Sequence, residues 1–351
     1  MSRLQGYRFL LVLVLSLKVT LTFGTEIESQ SSSDSAEFVV AGYLPNYRSY
    51  INVNNTALLL TDLILFSVEP DSNGNLNGCC LDTSHYQLAR DARTHKKQVS
   101  SIPLRLWVSI GGAGRSESLS TLLSNPSLTR TLIQNLIALC HTHQLDGVDW
   151  NGNVAVTDTH NDDTIPLFLV DLAHALHQQN HFLSITTRHL LPPTVVAAVD
   201  RIQFMAYDLL SNQGGSPNQN QNHANIHIIS QMLNHWINTR HYPPAKIVLG
   251  IPAYARHGTT PGNVKTFAEM VDDGMNIQKK EGKWKGYLFD SVHNVQTKVK
   301  YAKEMGLKGV FLWELGQDKQ DENGAPSGWL LTAAAKVAGN PIHNLQMKEE
   351  L

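Results

Sequence analysis

The sequence is poor in cysteine and has almost no excess of charge of either sign. Only three cysteines, Cys79, Cys80 and Cys140, occur among 351 residues, which excludes a disulfide-rich scaffold. An odd count leaves at least one of them unpaired within the chain, and pairing of Cys140 with either of the others stays open. The net charge of −2 gives no electrostatic reason to expect nucleic acid or an anionic membrane as partner.

Apolar runs long enough to cross a membrane are also lacking. The longest run, residues 9–17, follows Arg3 and Arg8 and is interrupted by Lys18, well short of the roughly 20 residues that a spanning helix needs. This pattern is typical of a secretory signal peptide over residues 1–24, cut near Gly24. A membrane anchor is the alternative. We therefore expect a secreted, extracellular protein with no membrane span.

The rest of the chain reads as one domain between two short polar segments. Residues 25–36 are Ser-rich and predict a flexible linker, residues 37–340 predict a single domain, and residues 341–351 predict a polar tail. One glycosylation sequon occurs, at Asn54.

Short apolar runs alternate with longer amphipathic stretches, a pattern that predicts parallel strands separated by helices. The predicted strands are 38–43, 63–67, 104–110, 147–150, 182–186, 202–207, 247–251 and 309–313, and residues 127–142, 165–178 and 292–303 are among the predicted helices. Eight such units over this length predict an α/β protein with a single-domain (β/α)₈ TIM barrel. An open doubly wound sheet is the alternative, but no G-x-G-x-x-G follows the first strand.

Several strand ends carry motifs that resemble glycoside hydrolase family 18. The matching segments are residues 38–47, 106–112 (LWVSIGG), 203–208 (QFMAYD), 250–256 (GIPAYAR) and 309–313 (GVFLW), the last followed by Gln317 and Asp318. The resemblance implies a chitinase-like barrel that takes chitooligosaccharides or other N-acetylglucosamine glycans and needs no cofactor. The stretch before the last strand is short, so we expect the insertion that deepens the groove in many family members to be short or absent.

The fourth strand departs from the family motif D-x-x-D-x-D-x-E. Its two first aspartates correspond to Asp146 and Asp149, whereas the third falls on Asn151 and the glutamate on Asn153. By resemblance, the glutamate would protonate the leaving oxygen and the third aspartate would orient the substrate's N-acetyl group. An amide does not titrate, so we predict little or no hydrolase activity and no intact catalytic residue. The alternative is a substitute acid on the following loop, which carries Asp158, His160, Asp162 and Asp163.

The same resemblance implies a sugar-binding cleft at the carboxyl ends of the strands, where aromatic faces stack on sugar rings. The predicted contacts are Tyr43, Phe66, Trp150, Met205, Tyr207, Asp208, Tyr254, Arg256 and Trp313. Ser109, Gly111 and Gly112 are expected to shape a strand end, and Trp284 and Tyr287 either form a rim or pack beneath it. The 16 histidines lack metal-ligand spacing, and we predict no metal site.

Three functions follow from this reading. The first is a secreted chitinase-like lectin that binds chitin-type glycans without hydrolysing them. The second is an active or weakly active chitinase with a substitute acid. The third is a protein-interaction or signalling scaffold with a vestigial cleft, which the fold alone does not separate from the first.

Overall fold

A closed barrel of parallel strands forms the centre of the molecule. The computed structural model describes residues 38–48, 51–76, 80–152, 164–209, 221–320 and 329–340. The barrel strands are β1 (Val39–Pro45), β2 (Asp62–Val68), β3 (Arg105–Gly111), β4 (Gly147–Asn151), β5 (Phe182–Thr187), β6 (Arg201–Phe204), β7 (Ile247–Pro252) and β12 (Gly309–Trp313). Each strand pairs in parallel with its neighbours in chain order, and β12 closes the ring between β7 and β1. The predicted TIM barrel is confirmed.

Helices follow the strands and cover the outside of the barrel. They are α1 (Val53–Ala57), α2 (Thr83–Val99), α3 (Leu119–Leu123), α4 (Pro126–His143), α5 (Thr164–His177), α6 (Pro193–Ala198), α7 (Ile226–Asn234), α8 (Phe267–Asp272), α9 (Val292–Glu304) and α10 (Trp329–Ala338). The three helices predicted above correspond to α4, α5 and α9 within one residue at each end. Their buried positions recur at helical spacing, as with Leu132, Leu136 and Cys140 on α4.

Alternation along the strands divides the core into an outer and an inner part. Successive strand residues point to opposite faces. On β4, for example, Val148 and Trp150 pack in the large outer cluster beneath the helices, whereas Asp149 contacts side chains inside the barrel. The inner part therefore receives every second residue of each strand.

The amino-terminal end of the barrel is closed by a buried ion pair. Arg201 Nη1 lies 2.6 Å from Asp62 Oδ1, which also accepts a hydrogen bond of 2.7 Å from Trp107 Nε1. Burial acts to raise the pKa of Asp62, but the neighbouring Arg201 outweighs it and the pKa is lowered. Asp62, Trp107 and Arg201 thus form a buried, hydrogen-bonded group at this end of the barrel.

A small sheet follows β7, so the insertion is present and short. Its strands are β8 (Tyr254–His257), β9 (Val264–Thr266), β10 (Lys283–Trp284) and β11 (Tyr287–Leu288), hydrogen-bonded antiparallel in the order β10-β11-β8-β9. With α8 it spans the stretch up to the start of α9. The expectation of a short insertion agrees with this element, and the sheet places Tyr254 and Arg256 beside the barrel mouth.

Cys140 takes no part in a disulfide bond. Cys140 is free and buried, and Cys80 is disulfide-bonded. Burial raises the pKa of the Cys140 thiol to about 12, which keeps it unreactive. Cys79, the remaining cysteine of the sequence, lies outside the described residues.

The predicted leader, linker and polar tail, residues 1–24, 25–36 and 341–351, lie outside the described residues. Among the helices of the described ranges, none combines the length and hydropathy that crossing a bilayer requires. Asn54, the predicted glycosylation site, is an exposed residue of α1.

Candidate functional site

Aromatic side chains gather inside the carboxyl-terminal end of the barrel. Six of the predicted contact residues, which we call the cleft cluster, lie together there: Tyr43, Phe66, Met205, Tyr207, Tyr254 and Trp313. The rings of Tyr43 and Trp313 are 5.3 Å apart at their centroids, and those of Phe66 and Trp313 are 4.9 Å apart and nearly perpendicular. Edge-to-face contacts of this kind hold neighbouring rings in fixed orientations.

Trp313 is the ring of the cleft cluster that remains partly open to solvent. Tyr43, Phe66, Tyr207 and Tyr254 are all buried, at 6% exposure or less, whereas Trp313 is partly exposed at the end of β12. An indole held on one side by Phe66 and Tyr43 is a rigid apolar platform. Such a platform suits the apolar C–H face of a sugar ring.

A fully buried carboxylate, Asp149, lies within the barrel next to the cleft cluster. Its Oδ1 accepts hydrogen bonds from the hydroxyls of Ser184 (2.7 Å) and Thr186 (2.8 Å). Its Oδ2 accepts from Ser109 Oγ (2.9 Å) and Tyr43 Oη (3.0 Å). Burial raises the pKa of Asp149, although the four hydroxyls oppose the shift. Asp149 thus holds side chains from β1, β3 and β5 in one network.

Tyr43 links this network to the aromatic rings. Burial raises the pKa of its phenol well above the usual range, and the nearby charge of Asp149 adds to the effect. The phenol therefore stays protonated and donates to Asp149, while its oxygen also lies 2.7 Å from Thr186 Oγ1. The orientation of the Tyr43 ring is fixed at both its hydroxyl and its faces.

A second polar group, Asp208, borders the cleft cluster on the side of the small sheet. Arg256 binds it with two nitrogens, Nη2 at 2.7 Å from Oδ2 and Nε to Oδ1. His223 Nδ1 lies 3.1 Å from Oδ1. Burial acts to raise the pKa of Asp208, but the contacts with His223 and Arg256 outweigh it and hold the pKa well below its usual range. Asp208 is therefore ionised, and the guanidinium of Arg256, set over Tyr254, faces the same region.

Three positions of the degenerate motif are described, and they lie at different heights along β4 or just before it. Asp146 precedes the strand at the amino-terminal end, where its Oδ2 accepts from Leu106 N (2.7 Å) and from Arg93 Nη1 (3.2 Å). Asn151 is the last strand residue and lies on the same face as Asp149, two positions further toward the cleft. Asn153 lies outside the described residues.

Trp150 lies apart from the other predicted contacts. It is 1% exposed and packs in the outer cluster, with its ring 5.1 Å from that of Phe168 on α5. The reason is strand alternation: Asp149 points into the barrel, so its neighbour Trp150 points out toward the helices. Trp150 is a core residue between the barrel and α5, so the prediction that it borders the cleft is wrong.

The end of β3 is shaped by glycine. Gly111 and Gly112 both have positive φ, at 83° and 116°, and a Cβ at Gly112 would overlap the ring of Phe66. Gly112 thus leaves room for Phe66 of the cleft cluster, whereas a Cβ at Gly111 would meet Ser116 Oγ and the backbone of Asn151. Ser109 does more than shape the strand, because its hydroxyl donates to Asp149.

Several polar residues of this site had no signal in the sequence. Arg115, in the loop after β3, donates to Ser67 Oγ at 3.2 Å and lies over the ring of Phe66. Arg48 Nε donates to the buried Glu314 at 2.7 Å. His223, Ser184 and Thr186 belong here as well. Only the fold brings these residues, which come from distant segments, to the same end of the barrel.

Trp284 and Tyr287 pair on the short strands β10 and β11 and pack against the outer core. Neither belongs to the cleft cluster. Within the described part of the chain, no group of three or more His, Cys, Asp or Glu side chains is arranged to hold a metal ion.

Comparison with known proteins agrees with this geometry. The sequence model of the glycosyl hydrolases family 18 matches residues 39–318. Nod factor hydrolase protein 1 of Medicago truncatula is 26% identical to this chain over 301 residues, which cover 70% of this chain and 75% of the Medicago protein.

Solved structures share the fold at lower identity. The GH18 chitinase ChiB from the chitin utilization locus of Flavobacterium johnsoniae superposes with a TM-score of 0.71 at 24% identity, covering 87% of this chain and 94% of that chain. YKL-39, solved in the presence of chitooligosaccharides (GlcNAc4), has a TM-score of 0.69 at 16% identity, covering 86% of this chain and 100% of that chain.

Proposed function

The chain belongs to the glycosyl hydrolases of family 18, and from this premise we propose that it is a secreted protein that binds chitooligosaccharides and hydrolyses them little or not at all. One observation carries the proposal. The cleft cluster is assembled, yet the fourth-strand motif has amides at Asn151 and Asn153 where carboxyl groups would act.

The chemistry of glycoside cleavage makes this difference decisive. The leaving oxygen needs a proton from a carboxylic acid, and an asparagine amide has none to give in the accessible pH range. Loss of general acid catalysis lowers the rate by about 10²–10⁴. Asn151 hydrogen-bonds but carries no negative charge, so it does not stabilise the positive charge that develops on the substrate's own N-acetyl group.

The described carboxyl groups near the cleft cluster do not replace the missing acid. Asp208 is ionised and bound by Arg256, so it holds no proton to donate. Glu314 is 1% exposed, and its oxygens accept from Arg48 and from Gly316 N. Asp149 is fully buried and engaged by four hydroxyls. Glu314 and Asp149 are thus buried away from a leaving oxygen in the cleft, and Asp208, which is partly exposed, is held in its ionised form.

The binding half of the proposal rests on the cleft cluster. Trp313 supplies the open apolar face, and Tyr207, Tyr254 and Met205 border it. Asp208 and Arg256 supply a polar edge for hydroxyl or acetamido groups. The insertion after β7 is small, so the groove is shallow and the grip on long polymers is weak compared with the grip on short oligosaccharides.

Secretion is part of the same proposal. Residues 1–24 act as a signal peptide, and Asn54 carries a glycan when the chain passes through the secretory pathway. Its exposed position on α1 supports this assignment, and a mobility shift on enzymatic deglycosylation of the secreted protein tests it.

Isothermal titration with chitotetraose tests binding. We expect Trp313→Ala to weaken it by about 2 kcal/mol, roughly thirtyfold in Kd, since an aromatic platform at the centre of a site carries energy of this order. Trp329→Ala is the matched control, because Trp329 packs in the outer cluster. No binding at millimolar chitotetraose would refute the lectin and favour an interaction scaffold with a vestigial cleft.

Turnover of a fluorogenic chitobioside tests the absence of hydrolysis. We expect no release above a heat-denatured sample at any pH between 4 and 8. Steady release that Trp313→Ala abolishes would instead assign a hydrolase whose acid comes from the loop carrying Asp158, Asp162 and Asp163, which lies outside the described residues.

A further inference from the structure

A separate pocket lies outside the barrel, between the N-terminal ends of α7 and α9. Its volume is about 270 Å³. Exposed His293 and Thr297 of α9 frame its mouth, and Asn225, the N-cap residue of α7, forms part of its wall. Of its lining residues only Ala224 also packs with the inner core around the cleft cluster. The pocket is therefore distinct from the proposed sugar site.

A buried ion pair forms part of the pocket lining. Asp290 and Lys298 are 1% and 2% exposed, and Lys298 Nζ donates to Asp290 Oδ2. Asn222 Nδ2 donates to Asp290 Oδ1 at 3.0 Å, so both oxygens of this carboxylate are engaged. The ammonium has three N–H groups, and within the described residues only Asp290 accepts from it.

The ammonium of Lys298 has more donors than acceptors around it. Asp290 is its one acceptor within the described residues, so two of its three N–H groups are left without an acceptor there. Burial also lowers the pKa of Lys298 even though Asp290 acts to raise it. An anion at the pocket would accept from these N–H groups.

The walls add a further donor. Asn225 Oδ1 accepts from His227 N, and the Nδ2 group of Asn225 makes no hydrogen bond within the described residues. Ser291 Oγ donates its one hydrogen to Lys280 O at 2.8 Å. The N-terminal ends of α7 and α9 lie at the same pocket and carry partial positive charge. The amide donor of Asn225 therefore remains open at the same pocket as the ammonium of Lys298.

We propose that this pocket binds a small organic acid or phosphate through its oxyanion, with Lys298 and the amide of Asn225 as donors. Its volume lies below the roughly 300–1,000 Å³ of sites for drug-sized ligands, so an oligosaccharide of several rings does not fit. Carboxylate and phosphate share the chemistry that these donors recognise.

Thermal melting of the full chain with sodium acetate, sodium phosphate or sodium sulfate, at one ionic strength made up with sodium chloride, tests the proposal. We expect a saturable rise in Tm with at least one of the three anions at millimolar concentration, because a ligand that binds only the folded state stabilises it. The anion that saturates at the lowest concentration identifies the source.

Two variants at one exposed position locate the site. Thr297→Glu places a negative charge at the mouth, and we expect it to weaken anion binding at least tenfold, whereas the neutral Thr297→Gln keeps it. Both variants should bind chitotetraose like the parent, since Thr297 lies outside the cleft cluster.

Removal of the ammonium is the direct test. Lys298→Met alone leaves Asp290 buried without its partner, so the double variant Asp290→Asn with Lys298→Met is the version expected to fold. It should show no anion response. Three results would overturn the proposal: a response equal to that of sodium chloride, an equal response in the Glu and Gln variants, or a response that survives the loss of Lys298.

Discussion

Replacing both amides of the degenerate motif should create a chitinase from this chain. In the double variant Asn151→Asp with Asn153→Glu, the first substitution places a carboxylate on the same face of β4 as Asp149. Alternate residues of a strand are about 6.6 Å apart. At an effective dielectric constant of about 20, two charges at that distance repel by about 2.5 kcal/mol, nearly two pKa units. The pair will therefore hold a shared proton to higher pH than either carboxyl alone, adding to the burial that already raises the pKa of Asp149.

The expected gain in rate has two sources. A proton donor at residue 153 contributes about 10²–10⁴, and a negative charge at residue 151 contributes about 10²–10³ through stabilisation of the developing cation. The rate effects of groups that act on the same transition state are not additive. We therefore expect the double variant to exceed either single variant by at least about 10²-fold, with a bell-shaped dependence of kcat/KM on pH.

Release of the fluorophore from a chitobioside is the assay, and the matched control is Asn151→Asp with Asn153→Gln. Glutamine has the length of glutamate and no titratable proton, so the comparison isolates the acid from the longer side chain. Calorimetry with chitotetraose shows whether each variant keeps the cleft. A folded, sugar-binding double variant that turns over no faster than its glutamine control would refute the reasoning, because the loss would then extend beyond these two side chains.

Three further results are expected. Asp149→Ala should lower the free energy of unfolding in urea by about 3 kcal/mol, because it leaves a cavity and four hydroxyls without their acceptor, whereas Asn151→Ala should lower it by less than about 1 kcal/mol. Arg256→Met should raise the pKa of Asp208, seen by NMR titration, and weaken chitotetraose binding about tenfold. Burial raises the pKa of Asp318 from its ordinary value near 3.8 to about 7, so its contribution to stability is complete below about pH 4 and is lost as the pH rises through 7. The change is at most about 4 kcal/mol, at 1.36 kcal/mol per pKa unit, and Asp318→Asn should flatten it in urea titrations from pH 4 to 8.

The barrel was predictable because its strands are apolar on both faces and separated by helical stretches. The largest error at a strand end is in β6, predicted to reach residue 207 and observed to end at Phe204. The chain leaves the sheet after Phe204 and passes through Asp208 at φ 57°, a local turn that an apolar run does not reveal. The strands of the small sheet escaped prediction because they are two to four residues long.

The clustering of the cleft cluster could be predicted to the extent that its residues lie at strand ends. Tyr43, Phe66 and Trp313 follow directly from that rule. The prediction that Trp150 borders the cleft was wrong because side chains alternate along a strand. Asp149 points into the barrel, so the neighbouring Trp150 has to point outward. His223 and Arg115 could not be predicted, since each reaches the site from a segment that is distant in sequence and whose position only the closed barrel determines.

The two aspartates present in the fourth-strand motif, Asp146 just before β4 and Asp149 within it, are the ones that the barrel itself uses. Asp146 accepts a hydrogen bond from a backbone N–H of β3, and Asp149 accepts hydrogen bonds from four hydroxyl groups on three strands. Substituting either would leave buried donors unsatisfied, at about 1–3 kcal/mol for each donor. Asn151 lies further along the strand, toward the cleft, and its side chain is not among the hydrogen-bond partners of Asp149. The groups that hold Tyr43 and its neighbours in place are thus separate from the groups that would do acid catalysis, so we expect the loss of hydrolysis to leave sugar binding intact.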